Sequence, residues 1–259
     1  MFEKLKPFLA ALLAAVLAVI GSKLPIPTPP VAPPPATTPK PEPKPEPKPE
    51  PKPEPKPDTA AAIARIQFGS AGCSATVIGP RREDGRYWVL TAAHCINQVG
   101  QRGSMRLLDG RVLGVQVASF DRRADACWLV TDTNSETLPF ALLAETDPPV
   151  GTKVWHAGYG VHNPGNREDG YVLATSNSDG QIQYRLSVSS GDSGGGICID
   201  ADGKVLGAVC CTTAKGQLAD VWACGPAAIR RAKPTAMVLD DWTPIDVPVK
   251  VPAVMPPAK

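Results

Sequence analysis

Residues 189–200 read SSGDSGGGICID: Ser193 stands among Gly191, Gly194, Gly195 and Gly196, beside Asp192, directly before a short apolar run. Glycine costs conformational entropy wherever it is ordered, so this density marks backbone that bends tightly or lies against another segment. A serine in such a setting is either a nucleophile or part of a polar loop. The rest of the chain decides between the two.

Outward from that stretch, residues 58–243 read as short apolar runs separated by turns. IARIQF, SATVIG, YWVLTAA, RVLGVQVASF, ACWLV, KVWHAGYG, YVLATS, IQYRLS, GICID, KVLGAVCC and DVWACG are strand-like in length and residue type. REDGR, LDGR and DADGK supply Asp-Gly turns between them. Many strands and little helical periodicity predict an all-β barrel or sandwich, with PAAIRRA a helical turn or two.

Composition separates this middle from its flanks. Of the 30 prolines, seventeen fall between Pro25 and Pro57. There a P-E-P-K repeat predicts a stiff polyproline II stalk, or else a linker with no length requirement. Before it, residues 1–24 carry Lys4 and Lys6 and then an apolar run from Phe8 to Ile20. That run suits a signal peptide, although Val19, Ile20 and Gly21 make a poor cleavage site; an uncleaved membrane tether through residues 7–22 is the other reading. The tail, residues 244–259, is proline-rich and expected to be disordered. The expected location is extracytoplasmic: secreted, periplasmic or anchored by the N-terminus. A net charge of +2 gives no case for nucleic acid, and the Arg-Arg pairs at 81–82, 122–123 and 230–231 read as solvated surface. Seven cysteines without a C-x-x-C pair argue against a zinc ribbon and for at least one disulfide. No ligand cluster calls for a metal or an organic cofactor.

WVLTAAHCI (88–96) ends a strand on His94, RADACWLV (123–130) sets Asp125 at the mouth of an apolar strand, and GDSGG (191–195) follows. Asp121 and Asp132 compete with Asp125 for its place, while His156 and His162 flank GYG (158–160) as surface or packing residues. With TAAHC and GDSGG both intact, residues from about Ile63 to Ala232 resemble the chymotrypsin/trypsin-like serine peptidases, in particular their compact bacterial members. The resemblance implies a double six-stranded antiparallel β-barrel with the active site between barrels. It implies Ser193 as nucleophile, His94 as general base and then acid, and Asp125 as the group orienting the imidazole. It implies an oxyanion hole from the amides of Gly191 and Ser193, and a Cys73–Cys95 disulfide.

The family likeness also exposes departures. No I-V-G-G stretch lies upstream of Cys73, so Asp192 is expected to pair with an internal group or the backbone rather than with a new N-terminus. Ser189 stands where digestive members carry a cysteine, and the pairing of Cys198, Cys210, Cys211 and Cys224 cannot be carried over; Cys127 and Cys198 suit buried thiols. Ser187 at the pocket floor does not indicate a basic P1 residue. Cys210, Cys211 and Thr212 fall on the strand that would pair with substrate, Thr212 narrowing the pocket; Asp220 attracts Lys or Arg if it faces inward, or is a loop aspartate facing solvent. These residues leave P1 open. The expected activity is a serine endopeptidase acting on proteins or peptides. The alternatives are an acyl hydrolase using the same triad, a pseudoprotease that only binds, and a molecule in which the stalk matters most.

Overall fold

The computed structural model describes residues 57–132, 137–160, 165–213 and 218–235. The N-terminal segment, the stalk, the tail and His162 lie outside them. The described residues belong to one compact unit built from twelve strands.

The first six strands are β1 (Ile63–Phe68), β2 (Ala71–Ile78), β3 (Trp88–Ala92), β4 (Arg102–Leu107), β5 (Val112–Asp121) and β6 (Ala126–Thr131). They close into a barrel in the order β1-β2-β3-β6-β5-β4, every pair antiparallel. Alternation of side chains along each strand sends one set inward; Ile66, Val77, Val89, Met105, Leu107 and Leu129 share one face and are fully buried.

The second six are β7 (Lys153–Ala157), β8 (Arg167–Ala174), β9 (Gln181–Ser187), β10 (Gly196–Ile199), β11 (Val205–Thr212) and β12 (Leu218–Cys224). They close in the order β7-β8-β9-β12-β11-β10, again all antiparallel. The strand order of the first barrel is thus repeated in the second. A smaller core fills it, around Val172, Ile182, Tyr184, Leu186, Ile197 and Val221.

After β12 the chain returns to the first barrel as helix α1 (Pro226–Ala232). Proline at the first turn is tolerated there because that amide has no helical partner. The Trp128 indole donates to the Ile229 carbonyl at 2.8 Å, and Ser119 Oγ donates to the Ala232 carbonyl at 2.5 Å. Arg231 pairs with Asp121 at 2.9 Å, while Arg230 donates to the carbonyls of Ala144 and Glu145 in the segment joining the barrels. Strand β11 bridges to that same segment through Leu143 and Val205. Among the described residues, no helix is long and apolar enough to cross a membrane.

Strand β4 is the one element that the sequence reading did not mark. Its RGSMRL carries only Met105 and Leu107 as apolar residues, and it forms because β1 and β5 each need a partner on that side.

Candidate active site

Strand β3 runs into a 3-10 turn, Ala93–Cys95, that carries His94 out of the barrel wall. The turn is held from three sides. Cys95 is bonded to Cys73 on β2, with Cα atoms 6.4 Å apart. Arg122 donates to the carbonyls of Ala93, Ile96 and Asn97, and its guanidinium lies 4.5 Å over the Phe120 ring. The third hold is Asp125.

Asp125 sits between β5 and β6 with φ of 58°, and it is the only non-glycine residue at positive φ among those described. Aspartate tolerates this left-handed geometry better than most residues. The turn aims both carboxylate oxygens at one partner: His94 N–H donates to Oδ1 at 2.7 Å, and the ring Nδ1 meets Oδ2 at 2.7 Å. The imidazole is therefore fixed in orientation, with Nδ1 carrying the proton and Nε2 facing away from the carboxylate. The hydrogen bond with Asp125 raises the His94 pKa above its ordinary value of 6.5, against the opposing effect of burial. Asp121 is engaged by Arg231 and by the amides of Arg123 and Ala124, and Asp132 accepts from Gly114 N–H. Neither competes for His94.

Ser193 lies in the turn before β10. Gly191 has φ of 100° and Gly194 of 85°, values that L side chains rarely adopt. A Cβ on Gly194 would run into Thr91 Oγ1 and the Ser74 carbonyl, so the turn lies directly against β2 and β3 of the other barrel. Ser74 completes the contact: its N–H donates to the Ser193 carbonyl at 2.8 Å and its hydroxyl to the Gly191 carbonyl at 2.7 Å. The amides of Gly191 and Ser193 donate to no group among the described residues. The Ser193 hydroxyl and His94 are not hydrogen-bonded to each other in the resting molecule, a contact that commonly tightens only with substrate bound.

Asp192, 8% exposed, is turned inward. It accepts from Gly160 N–H at 2.7 Å, Ser189 N–H at 2.7 Å and Ser189 Oγ at 3.0 Å. Burial by itself would raise its pKa; His156, together with the Ser189 amide and hydroxyl, holds it below the usual carboxylate range. His156 is buried on β7 with Nε2 3.7 Å from Asp192 Oδ1, beyond hydrogen-bond reach, and its Nδ1 is 3.1 Å from the Gly196 carbonyl. Asp192 thus has internal and backbone partners among the described residues.

An open cleft of about 390 Å³ is lined by His94, Arg122, Asp125, Gln181, Cys210 and Cys211. Cys210, Cys211 and Thr212 end β11, where β12 continues as a neighbour but pairing with β10 has stopped at Ala208. Ser187 ends β9, half-buried, opposite Leu218. Asp220 corrects one expectation: it is in strand β12, not in a loop. Gln183 donates to its Oδ2 at 3.0 Å, and Arg185 lies 3.1 Å from its Oδ1. Cys73, His94 and Cys95 bring three ligand-type atoms within 4.8 Å of one another, but the two sulfurs are bonded to each other and have no lone thiolate to offer a metal.

Three residues escape the sequence reading. Ser74 and Gln181 have no motif around them; Ser74 acts through contact between the barrels, and Gln181 lines the cleft beside Cys210. Arg122, Arg230 and Arg231 are exposed, as expected of the arginine pairs, but each also satisfies specific carbonyl or carboxylate groups. A cation directly after a strand end and three before Asp125 was the available signal for Arg122.

A family model described as a trypsin-like peptidase domain matches residues 73–207. No curated protein matches the sequence. Among solved structures, the serine endoprotease from Yersinia pestis aligns at 20% identity and TM-score 0.55, covering 67% of this chain and 61% of that one. The Rv3671c protease in an inactive form aligns at 20% identity and TM-score 0.53, covering 67% and 88%. The same protein from M. tuberculosis H37Rv, as a serine-to-alanine mutant, gives 19% and 0.52, covering 70% and 94%. At these identities the structures establish a shared fold. The chain spans less than two thirds of the Yersinia protein's length.

Proposed function

Because the chain belongs to the trypsin-like peptidase family, we propose that it is a serine endopeptidase that cleaves peptide bonds through Ser193, His94 and Asp125. The observation that carries this reading is the double hold of Asp125 on His94, both distances 2.7 Å. With Nδ1 engaged, Nε2 is the nitrogen left to take the Ser193 proton as the hydroxyl attacks the scissile carbonyl. The resulting imidazolium is stabilised by the Asp125 carboxylate and returns its proton to the leaving amine. The unengaged amides of Gly191 and Ser193 receive the oxyanion, a contribution of about 3 kcal/mol per donor in comparable sites. Water then repeats the sequence on the acyl-enzyme. No residue in this scheme requires a metal or cofactor.

Substrate is a protein or peptide in extended form, added along the side of β11 at Cys210 and Cys211 that faces the cleft. Asp220, with Arg185 beside it, offers little charge to a cationic P1 residue, and Ser187 adds none; an uncharged P1 side chain follows. Residues 1–24 act as export signal or anchor, and 25–57 as a spacer holding the 58–243 domain away from a membrane, outside the cytoplasm. Cell fractionation of the tagged chain tests that placement: cytoplasmic recovery would refute it.

Fluorophosphonate labelling of the purified chain beside Ser193→Ala tests the activity. Labelling of the parent alone, with hydrolysis of peptides bearing uncharged P1 residues, is the expected result. Absence of labelling in folded protein would instead leave a barrel that binds without cutting.

A further inference from the structure

Successive side chains of a strand point to opposite faces. On β11 the register toward β12 shifts at one place: Val209 faces Ala223 and Cys211 faces Trp222, so Cys210 is an extra residue in a β-bulge. A bulge bends the strand and re-aims its side chains. Here it brings Cys210 Sγ within 3.0 Å of Cys211 Sγ, roughly 1 Å longer than a disulfide bond. Both thiols line the cleft that also contains His94 and Asp125.

We propose that Cys210 and Cys211 are a thiol–disulfide exchange site in the wall of the catalytic cleft, which takes small-molecule disulfides and closes into a vicinal disulfide that slows Ser193. The slowing rests on the reading of Ser193 as nucleophile; the exchange chemistry does not.

The two sulfurs are set for different roles. Cys211 is exposed, and the hydrogen bond from Cys210 draws its pKa down to about 7 despite some burial and the Asp125 charge, with His94 contributing. Cys210 is half-buried; donating its S–H in a hydrogen bond to Cys211, together with burial and the nearby Asp125 carboxylate, pushes its pKa up. The exposed thiolate is therefore the attacking group, and the shielded thiol is the resolving one. Cys127, Cys198 and Cys224 are buried, and burial pushes each of them up, so they are inert by the same criterion.

The Cys211 thiolate attacks one sulfur of a disulfide RSSR, forming a Cys211–S–S–R bond and expelling RS⁻. Cys210 then attacks the Cys211 sulfur, breaking the bond to R. A second RS⁻ leaves and takes up the Cys210 proton. The two cysteines are oxidised by two electrons and RSSR is reduced to two thiols. Closure re-aims both sulfurs in the wall that also holds His94 and Asp125, and Asp125 fixes the imidazole. A two-residue ring is a strained disulfide, the reducible kind used for regulation rather than structure.

The test treats the full chain with oxidised glutathione and maps thiols by mass. Trypsin releases residues 205–215, VLGAVCCTTAK, which contains these two cysteines and no other. The expected product in the parent is an internal disulfide, lacking two hydrogens and reversed by dithiothreitol. Cys210→Ser should stall as a glutathione adduct on Cys211, while Cys211→Ser should leave the peptide unmodified. An untouched parent peptide, a persistent glutathione adduct in the parent, or equal adducts in the two variants would overturn the exchange site. Oxidation should measurably slow fluorophosphonate labelling. Equal labelling of reduced and oxidised protein would overturn the coupling to Ser193. If reduced protein does not label at all, the catalytic reading fails, and the peptide map still decides the exchange site.

Discussion

At the scale of single residues, the left-handed backbone of Asp125 decides most. Its φ of 58° curls the carboxylate back onto both the amide and the ring of His94. Asparagine accepts the same backbone and the same volume but not the charge. Asp125→Asn should therefore fold normally and lose kcat on the order of 10⁴-fold, because the amide favours the wrong imidazole tautomer. In the parent, activity needs neutral His94, so kcat/KM should fall as pH drops through the His94 pKa, and the midpoint should lie above 6.5 because Asp125 raises it. A kcat/KM profile on a peptide substrate checks both. The pKa shift at Asp192 runs the other way, downward, yet its effect is also lost in acid. Its lowered folded pKa contributes stability that is complete above the unfolded value near 3.8 and lost as pH falls through the folded value. Chemical denaturation across that acid window should show a steeper loss in the parent than in Asp192→Asn.

At the scale of elements, the disulfide ties β2 to the turn that carries His94, closing a separation of 22 residues. Replacing Cys73 and Cys95 together by alanine should cost about 3 kcal/mol, read as a lower denaturant midpoint. Arg122 remains in place in that variant, so His94 keeps part of its support. Elements differ in how much of them could be read from residues alone. β1 is marked over its whole length by IARIQF, because its apolar residues alternate and a turn bounds it. β4 was illegible because neighbouring strands supply its stability, and no periodicity in RGSMRL reports that. The site divides the same way. His94 and Ser193 are announced by their local strings, whereas Ser74, Gln181 and Arg122 act through partners 117, 29 and 29 positions away. The Cys210–Cys211 contact needs a bulge whose register is set by β12.

At the scale of the whole molecule, His94 and Asp125 belong to one barrel and Ser193 to the other, so the alignment of the barrels is itself part of the site. Helix α1 clasps them, with Trp128 and Ser119 on the first barrel bonded to its carbonyls and Arg230 bonded to the joining segment. Truncation after Gly225 should expose Trp128, red-shift its fluorescence, lower Tm and depress fluorophosphonate labelling; unchanged labelling would show that the barrels align without the clasp. Both barrels follow one strand order, β1-β2-β3-β6-β5-β4 and its counterpart from β7 to β12. A closed module present twice can divide labour: one copy bears the proton-handling pair and the other the attacking oxygen, so neither half is a hydrolase by itself. Chemistry of this kind is confined to the seam between copies, and a chain released as two fragments would stay harmless until they met.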